Sequence, residues 1–371
     1  MTATYVLAAG GTGGHLFPAE ALARLLVADG ASVHLLTDRR ADAFAASVPG
    51  VTIDLIRAGQ LGGGPLHAAY GLAELALGMM QARRLLRRLA PASVVGFGGY
   101  PSVPTMLAAA QLGLPTLIHE QNAVFGRANR LLAPRARSIA TGFAAVHGLR
   151  PADRARAIHT GNPVRPAIQT VGAQPYAPPA ETIELLVTGG SQGARVFSEV
   201  VPAAVVLLPA VLRARLRISQ QARPEDRDTV AAQYQALGVA ADTESFFTDM
   251  PTRLARAHLV VCRAGASTIA ELAAAGRPAI LVPYPYAMDD HQTVNAGALA
   301  GAGGAWVMPQ PEFTAPALAD RLAGLFADSA ALASAAAAAR AFARDDAAER
   351  LAGLAHDLAG GRENCPMECA A

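Results

Sequence analysis

Short, nearly unbroken apolar runs recur along this chain, each followed by a polar or glycine-rich turn and then by a longer stretch of helix formers. In the first half the runs fall at 5–9, 33–36, 94–97, 115–119 and 138–140; in the second at 184–187, 216–220, 243–247, 259–262, 279–282 and 305–307. Runs this short, rich in Val, Leu and Ile, read as strands buried on both faces of a parallel sheet. Helices are predicted between them, at about 19–27, 66–90, 103–111, 127–132, from the turn after 194 to about 208, 226–237, 253–257 and 269–275. Three alanine-rich helices follow at 314–328, 330–344 and 347–359. Regular alternation of strand, turn and helix predicts a doubly wound α/β architecture.

The pattern restarts in mid-chain. Gly10-Gly11-Thr12-Gly13-Gly14 follows the first strand, and Gly189-Gly190-Ser191-Gln192-Gly193 follows the strand at 184–187. A polar, proline-rich stretch separates the halves, from Thr160-Gly161-Asn162-Pro163-Val164-Arg165 to Pro179. Two Rossmann-like doubly wound domains facing across a cleft account for this better than one long sheet. We expect domains at 1–163 and 164–340, a helix at about 341–360 crossing back onto the first, and a tail at 361–371.

The most chemically pointed stretch is 259–295. A strand meets Arg263-Ala264-Gly265-Ala266-Ser267-Thr268, a turn that opens a helix. Backbone N–H groups at a helix N-terminus hold phosphate well. Glu271 stands in that helix where a carboxylate can face a ribose diol. Gln292 and Asn295 are three apart, share a helix face, and carry amides suited to sugar hydroxyls. Read singly, each is as well explained as a solvated or capping side chain; together they point to a nucleotide-sugar pocket. Gly-x-Gly-x-x-Gly is absent in its dinucleotide spacing, which disfavours a nicotinamide cofactor.

Composition narrows the classes. Of 371 residues 52% are hydrophobic and only 16% charged, with a net charge of +2. That favours large cores and argues against nucleic acid as a partner. The three cysteines, Cys262, Cys365 and Cys369, are few and odd in number, as in a reducing compartment. No basic segment with a cleavage site precedes residue 5, so no secretory signal is expected, and no run is long enough to span a membrane. The helix at 66–90 is unusual. It combines Leu72, Leu75, Leu77, Met79, Met80, Leu85 and Leu86 with Arg83, Arg84, Arg87 and Arg88 at its end. The arginines suit the helix dipole, or they border an interfacial surface for anionic lipid.

Seven segments in order, GGTGGHLFPA (10–19), GFGGYPS (96–102), HEQN (119–122), GNPVR (161–165), GGSQGA (189–194), CRAGASTIAE (262–271) and DDHQTVNA (289–296), resemble the MurG family of bacterial cell-wall enzymes. The resemblance implies a GT-B type, two-domain glycosyltransferase. It would move N-acetylglucosamine from UDP-N-acetylglucosamine to the 4-hydroxyl of undecaprenyl-diphospho-N-acetylmuramyl-pentapeptide, lipid I becoming lipid II. It also implies a peripheral enzyme on the cytoplasmic face of the cell membrane, with an anionic membrane surface and cell-wall or division proteins as partners. The first domain would hold the lipid acceptor and the second the donor.

By motif, Arg165 and Ser191 should contact the donor's diphosphate or uridine. Ala266, Ser267, Thr268, Ile269, Ala270 and Glu271 should line the nucleotide, with Glu271 on the ribose. Phe247 should sit against uracil, and Gln292 should hold the sugar with Asn295 nearby. Thr12, Gly13, Gly14 and Asn122 should approach the transferred sugar. An inverting displacement needs a base. His15, beside a glycine turn, is the candidate, since a neutral imidazole there accepts a proton; His119 and Glu120 at a strand end compete with it. No Asp-x-Asp motif appears, and Asp289-Asp290 reads as a helix start, so no metal or other cofactor is expected. The rival readings are another nucleotide-sugar enzyme (a glycolipid glycosyltransferase or a UDP-sugar epimerase) and a non-catalytic divisome scaffold.

Overall fold

The computed structural model of the chain describes residues 2–10, 13–38, 48–59, 64–190 and 193–361. They form two compact units, one of residues up to Val164 together with those from Arg344 onward, the other of Arg165–Ala343.

Unit 1 holds strands β1 (Thr4–Ala8), β2 (Ser32–Thr37), β3 (Val51–Leu55), β4 (Ser93–Gly96), β5 (Thr116–Glu120), β6 (Ser138–Thr141) and β7 (Ala157–His159). They form one parallel sheet in the order β3-β2-β1-β4-β5-β6-β7. The order reverses between β1 and β4, and the strands' carboxyl ends at such a switch point form a natural ligand crevice. Helices α1 (Gly13–Ala28), α2 (Pro65–Leu89), α3 (Ser102–Gln111), α4 (Arg127–Leu132) and α5 (Pro151–Arg154) complete the first pass of the chain.

Unit 2 repeats the scheme. Its strands are β8 (Ile183–Thr188), β9 (Leu216–Gln221), β10 (Ala240–Glu244), β11 (Leu259–Cys262), β12 (Ala279–Leu281) and β13 (Ala305–Val307), in the parallel order β10-β9-β8-β11-β12-β13. Its helices are α6 (Pro166–Gly172), α7 (Arg195–Leu207), α8 (Ala210–Arg213), α9 (Pro224–Ala236), α10 (Met250–Arg256), α11 (Ala266–Ala275), α12 (His291–Gly301), α13 (Ala315–Ala327) and α14 (Ser329–Phe342). Its switch point lies between β8 and β11. The central strands β8, β11 and β12 are apolar, as burial on both faces requires.

The last helix, α15 (Ala347–Ala359), belongs to unit 1. Leu351, Leu354 and Leu358 enter the core beside α1 and the face of β1, β4 and β5. Each such leucine contributes roughly 1.5–3 kcal/mol by burial. Ser93 Oγ donates to Ala355 O at 3.1 Å, and Tyr5 stacks on His356 at 5.4 Å. The approach to α15 is tight at Gly161, which has φ 86°; a Cβ there would lie 2.6 Å from Arg344 Cβ.

Several elements depart from the pattern-based expectation. α1 begins at Gly13 despite Pro18 inside it, so His15 sits in the first turn. β10 ends at Glu244, short of the expected 247, because this edge strand (AADTE) is polar and largely exposed. β3, β7, α5, α6 and α8 were not expected. Among the described residues no single helix is long and apolar enough to cross a membrane. Of the cysteines, Cys262 is buried in β11, and burial pushes its thiol up to about 12. Cys365, Cys369 and the expected tail from 362 lie outside the described residues, as do Thr12 and Ser191.

Candidate active site

In unit 1, His15 is the third residue of α1, after Gly13 and Gly14. Its Nδ1 lies 3.1 Å from Gln121 Oε1. An amide oxygen only accepts, so in the neutral ring Nδ1 is the protonated nitrogen and Nε2 the one with the lone pair. The other end of Gln121 fixes that assignment. Its Nε2 faces three acceptors, Phe97 O at 3.0 Å, His119 O at 3.2 Å and His119 Nδ1 at 3.0 Å. The second imidazole is thereby defined as well, with Nε2 donating to Gly161 O at 3.2 Å. The His15 ring lies over Gly98 and Gly99, at φ 81° and 72°; a Cβ on Gly99 would come 3.4 Å from the ring.

Sequence reasoning offered His119 and Glu120 as alternatives to His15. The structure gives both other work. His119 is wholly buried, both its nitrogens are bonded, and burial pushes its ring down to about 4. Glu120 is also buried, and its carboxylate organises the following loop. Oε1 accepts from Asn122 N (3.0 Å) and Asn122 Nδ2 (3.3 Å), and Oε2 from Gly126 N and Asn129 Nδ2 (both 2.8 Å). These bonds hold Asn122, expected near the sugar, in place at the carboxyl end of β5. Gln121, the hub of the arrangement, was not among the expected site residues.

In unit 2, α11 opens at Gly265 with no side-chain cap. Its first-turn N–H groups, from Ala266 to Thr268, have no partner within the helix, and such an end suits an anion. Ser267, Thr268 and Ala270 are partly exposed, whereas Ala266 and Ile269 are buried. The Ile269 side chain therefore packs inward, leaving its backbone as the part that could line a ligand. Arg165 Nε and Nη2 both donate to Glu271 Oε1, at 3.2 and 2.8 Å. Burial pushes the Glu271 carboxyl up, and Arg165 opposes that shift. The expected phosphate ligand is thus an ion-pair partner of the expected ribose ligand.

Gln292 and Asn295 share a helix face, as their spacing predicts, but both grip Ala264. Gln292 Oε1 accepts from Ala264 N at 3.2 Å and Tyr284 N at 2.9 Å. Asn295 is wholly buried and donates to Ala264 O at 3.2 Å, so it braces the turn rather than facing a sugar. Asp290 caps α12 and accepts from Thr293 Oγ1 at 2.7 Å, the helix-start role expected of the Asp pair. The Phe247 ring is also buried, with the Arg253 guanidinium 3.8 Å over its face. The ring of the neighbouring Phe246 is 62% exposed. Among the described residues no three His, Cys, Asp or Glu side chains group as metal ligands.

α2 presents two faces. Ala82 and Leu86 are buried, with Met79, Leu85 and Leu89 packed beside them. Tyr70, Leu72, Leu77 and Met80 are exposed and lead into exposed Arg84, Arg87 and Arg88. The apolar outer face is thus narrower than the sequence implied.

Residues 5–141 match the glycosyltransferase family 28 N-terminal domain and residues 184–351 its C-terminal domain. The UDP-N-acetylglucosamine–N-acetylmuramyl-(pentapeptide) pyrophosphoryl-undecaprenol N-acetylglucosamine transferase of Rhodospirillum centenum is 60% identical over 360 residues, 96% of this chain and 95% of its own. The protein of that name from Rhizobium meliloti is 52% identical over 359 residues, 96% of each chain. Acinetobacter baumannii MurG superposes with a TM-score of 0.77 at 30% identity, covering 96% of this chain and 99% of that one. The calicheamicin glycosyltransferase CalG4 (TM-score 0.66, 17% identity, covering 97% of this chain and 98% of that one) shares the fold alone. With both halves matched in order, and identity above half over nearly the whole length, this chain belongs to the MurG family of N-acetylglucosaminyltransferases within glycosyltransferase family 28.

Proposed function

We propose that this enzyme transfers N-acetylglucosamine from UDP-N-acetylglucosamine to the 4-hydroxyl of the N-acetylmuramyl unit on undecaprenyl diphosphate, making lipid II from lipid I. The acceptor oxygen attacks the anomeric carbon from the face opposite UDP. The new C–O bond forms as the bond to the UDP oxygen breaks, and the configuration inverts. His15 Nε2 takes the hydroxyl proton. The observation that carries this reading is the Gln121 amide oxygen on His15 Nδ1, which leaves Nε2 as the basic nitrogen.

The departing UDP gains negative charge. The uncapped end of α11 supplies fixed dipoles for it. Glu271, with Arg165 bonded to Oε1, leaves Oε2 to accept from the ribose. Gln292, whose oxygen is engaged at Ala264 and Tyr284, offers its amide hydrogens to the sugar. Unit 2 is thus read as the donor domain and unit 1 as the acceptor domain. The acceptor is a lipid, and the outer face of α2 suits a surface bearing anionic headgroups, which makes the enzyme peripheral at the cytoplasmic face of the membrane.

The test is UDP release from UDP-N-acetylglucosamine with and without a short-chain lipid I analogue. Acceptor-dependent release is expected. Release without acceptor would favour a hydrolase or epimerase, and donor binding with no release in either case a scaffold.

A further inference from the structure

Gln221 is the last residue of β9, and it is buried. The mechanism above does not use it. Yet its side chain bonds to two different turns. Thr188 Oγ1 donates to its Oε1 at 2.7 Å. Its Nε2 donates to Gly190 O at 2.9 Å and to Ser245 O at 3.1 Å. Gly190 lies in the glycine turn after β8, and Ser245 opens the turn after β10 that leads to Phe247. Gly190 N also donates to Thr188 Oγ1 at 3.4 Å, so Gly190, Thr188 and Gln221 close a ring of hydrogen bonds.

The second turn is braced independently. Arg253 covers the Phe247 ring and donates to Asp249 Oδ1 at 2.8 Å, while pairing with Asp242 at 2.6 Å. Arg253 thus holds the turn from the Phe247 side, and Gln221 ties Ser245 to Gly190. Glutamine suits that place chemically. It needs one acceptor for Thr188 and two donor hydrogens for two carbonyls. Glutamate cannot donate, and leucine would leave both carbonyls without this partner.

We infer that Gln221 is a positioning residue that sets the spacing between the turn after β8 and the turn after β10, and so lets the enzyme grip the donor's nucleoside diphosphate as one ligand. The inference rests on reading both turns as donor-binding.

The experiment combines hydrogen exchange with kinetics on the full chain. In the wild type, UDP should slow exchange in both 188–190 and 245–249. In Gln221→Leu, UDP should slow only one of the two, and KM for UDP-N-acetylglucosamine should rise about tenfold, about 1.4 kcal/mol, while kcat stays within about threefold. Wild-type KM with both segments protected in that variant would overturn the inference. If UDP leaves 245–249 unprotected in the wild type, the reading of the base turn itself fails, before any variant is made. Should Gln221→Leu not fold, Gln221→Glu carries the test, because it keeps the volume and the bond from Thr188 but donates to neither carbonyl. It should raise KM similarly; an unchanged KM would overturn the inference.

Discussion

His15 Nδ1 lies 3.1 Å from Gln121 Oε1, and that one bond decides which nitrogen of the imidazole is basic. Removing the imidazole should lower kcat by about 10²–10⁴-fold, the usual worth of general base catalysis. Gln121→Glu keeps an acceptor at Nδ1 but loses the donor toward Phe97, His119 O and His119 Nδ1. Gln121→Leu loses both. We expect His15→Ala to bind UDP normally with kcat collapsed, and Gln121→Leu to lower kcat more than Gln121→Glu, with donor KM little changed in each. Steady-state kinetics with the short-chain acceptor check this; normal turnover by His15→Ala would remove the mechanism.

The Arg165–Glu271 pair makes a prediction of opposite kind. Its bonds are charge-assisted, at 2.8 and 3.2 Å, and the carboxylate is read as the ribose ligand. Glu271→Gln keeps the shape, weakens the bond to arginine and the acceptance from a ribose hydroxyl, and should raise donor KM by about tenfold. Arg165→Leu should do more, since it strands a half-buried carboxylate. Calorimetry with UDP and with 2′-deoxy-UDP distinguishes the roles: if Glu271 holds the ribose, Glu271→Gln should shrink the preference for UDP. An unchanged preference would assign the pair to structure alone.

Much of this was legible in the sequence, for a physical reason. Parallel strands are buried on both faces, so they announce themselves as apolar runs, and glycine turns mark where they end. That pattern puts His15 at a helix start beside a glycine turn and the 119–122 segment at a strand end. What was hidden depends on long-range pairing. Gln121 and Gln221 meet backbone carbonyls far away in sequence, and nothing in a lone glutamine signals this. Phe247 was read as strand because it is apolar, but β10 is an exposed edge whose ladder is held by backbone bonds, so its side chains carry no apolar pattern. The spacing of Gln292 and Asn295 correctly gave a shared face; it did not reveal that Asn295 points at Ala264 O.

His119 predicts how stability depends on pH. Burial holds its ring at about 4, below the ordinary 6.5. An unfolded chain takes up a proton there near pH 6.5, while the folded chain does so only near pH 4. The stability that neutral His119 supports is therefore complete above about pH 6.5, is lost progressively as pH falls toward 4, and changes no further below that. The loss should reach about 3 kcal/mol. Denaturant unfolding of unit 1, followed by exchange of its core amides from pH 7 to 4, measures it. The slope should flatten in His119→Gln; an equal slope would assign it to other groups.

Charge on the departing UDP is met, in this reading, by helix ends rather than by a bound cation. Turnover should survive an excess of chelator, and added Mg²⁺ should change kcat by less than about twofold. A strict requirement for Mg²⁺ after chelation would refute this.

The face of α2 bears on where the enzyme works. Arg84 and Arg88 are exposed beyond the apolar Leu77 and Met80, whereas Leu86 on the same helix is buried. Each arginine near an anionic surface contributes about 1 kcal/mol, so reversing both should weaken binding to anionic vesicles by at least about thirtyfold. Turnover of a short-chain soluble acceptor should be spared, because neither side chain lies at the strand ends that carry the chemistry. Leu86→Ala supplies the contrast: a core deletion costs about 2–5 kcal/mol of stability and should leave vesicle affinity of the folded fraction unchanged. Loss of both activities together in Arg84→Glu/Arg88→Glu would indicate misfolding, and unchanged vesicle binding would mean that the enzyme meets its lipid substrate through another surface.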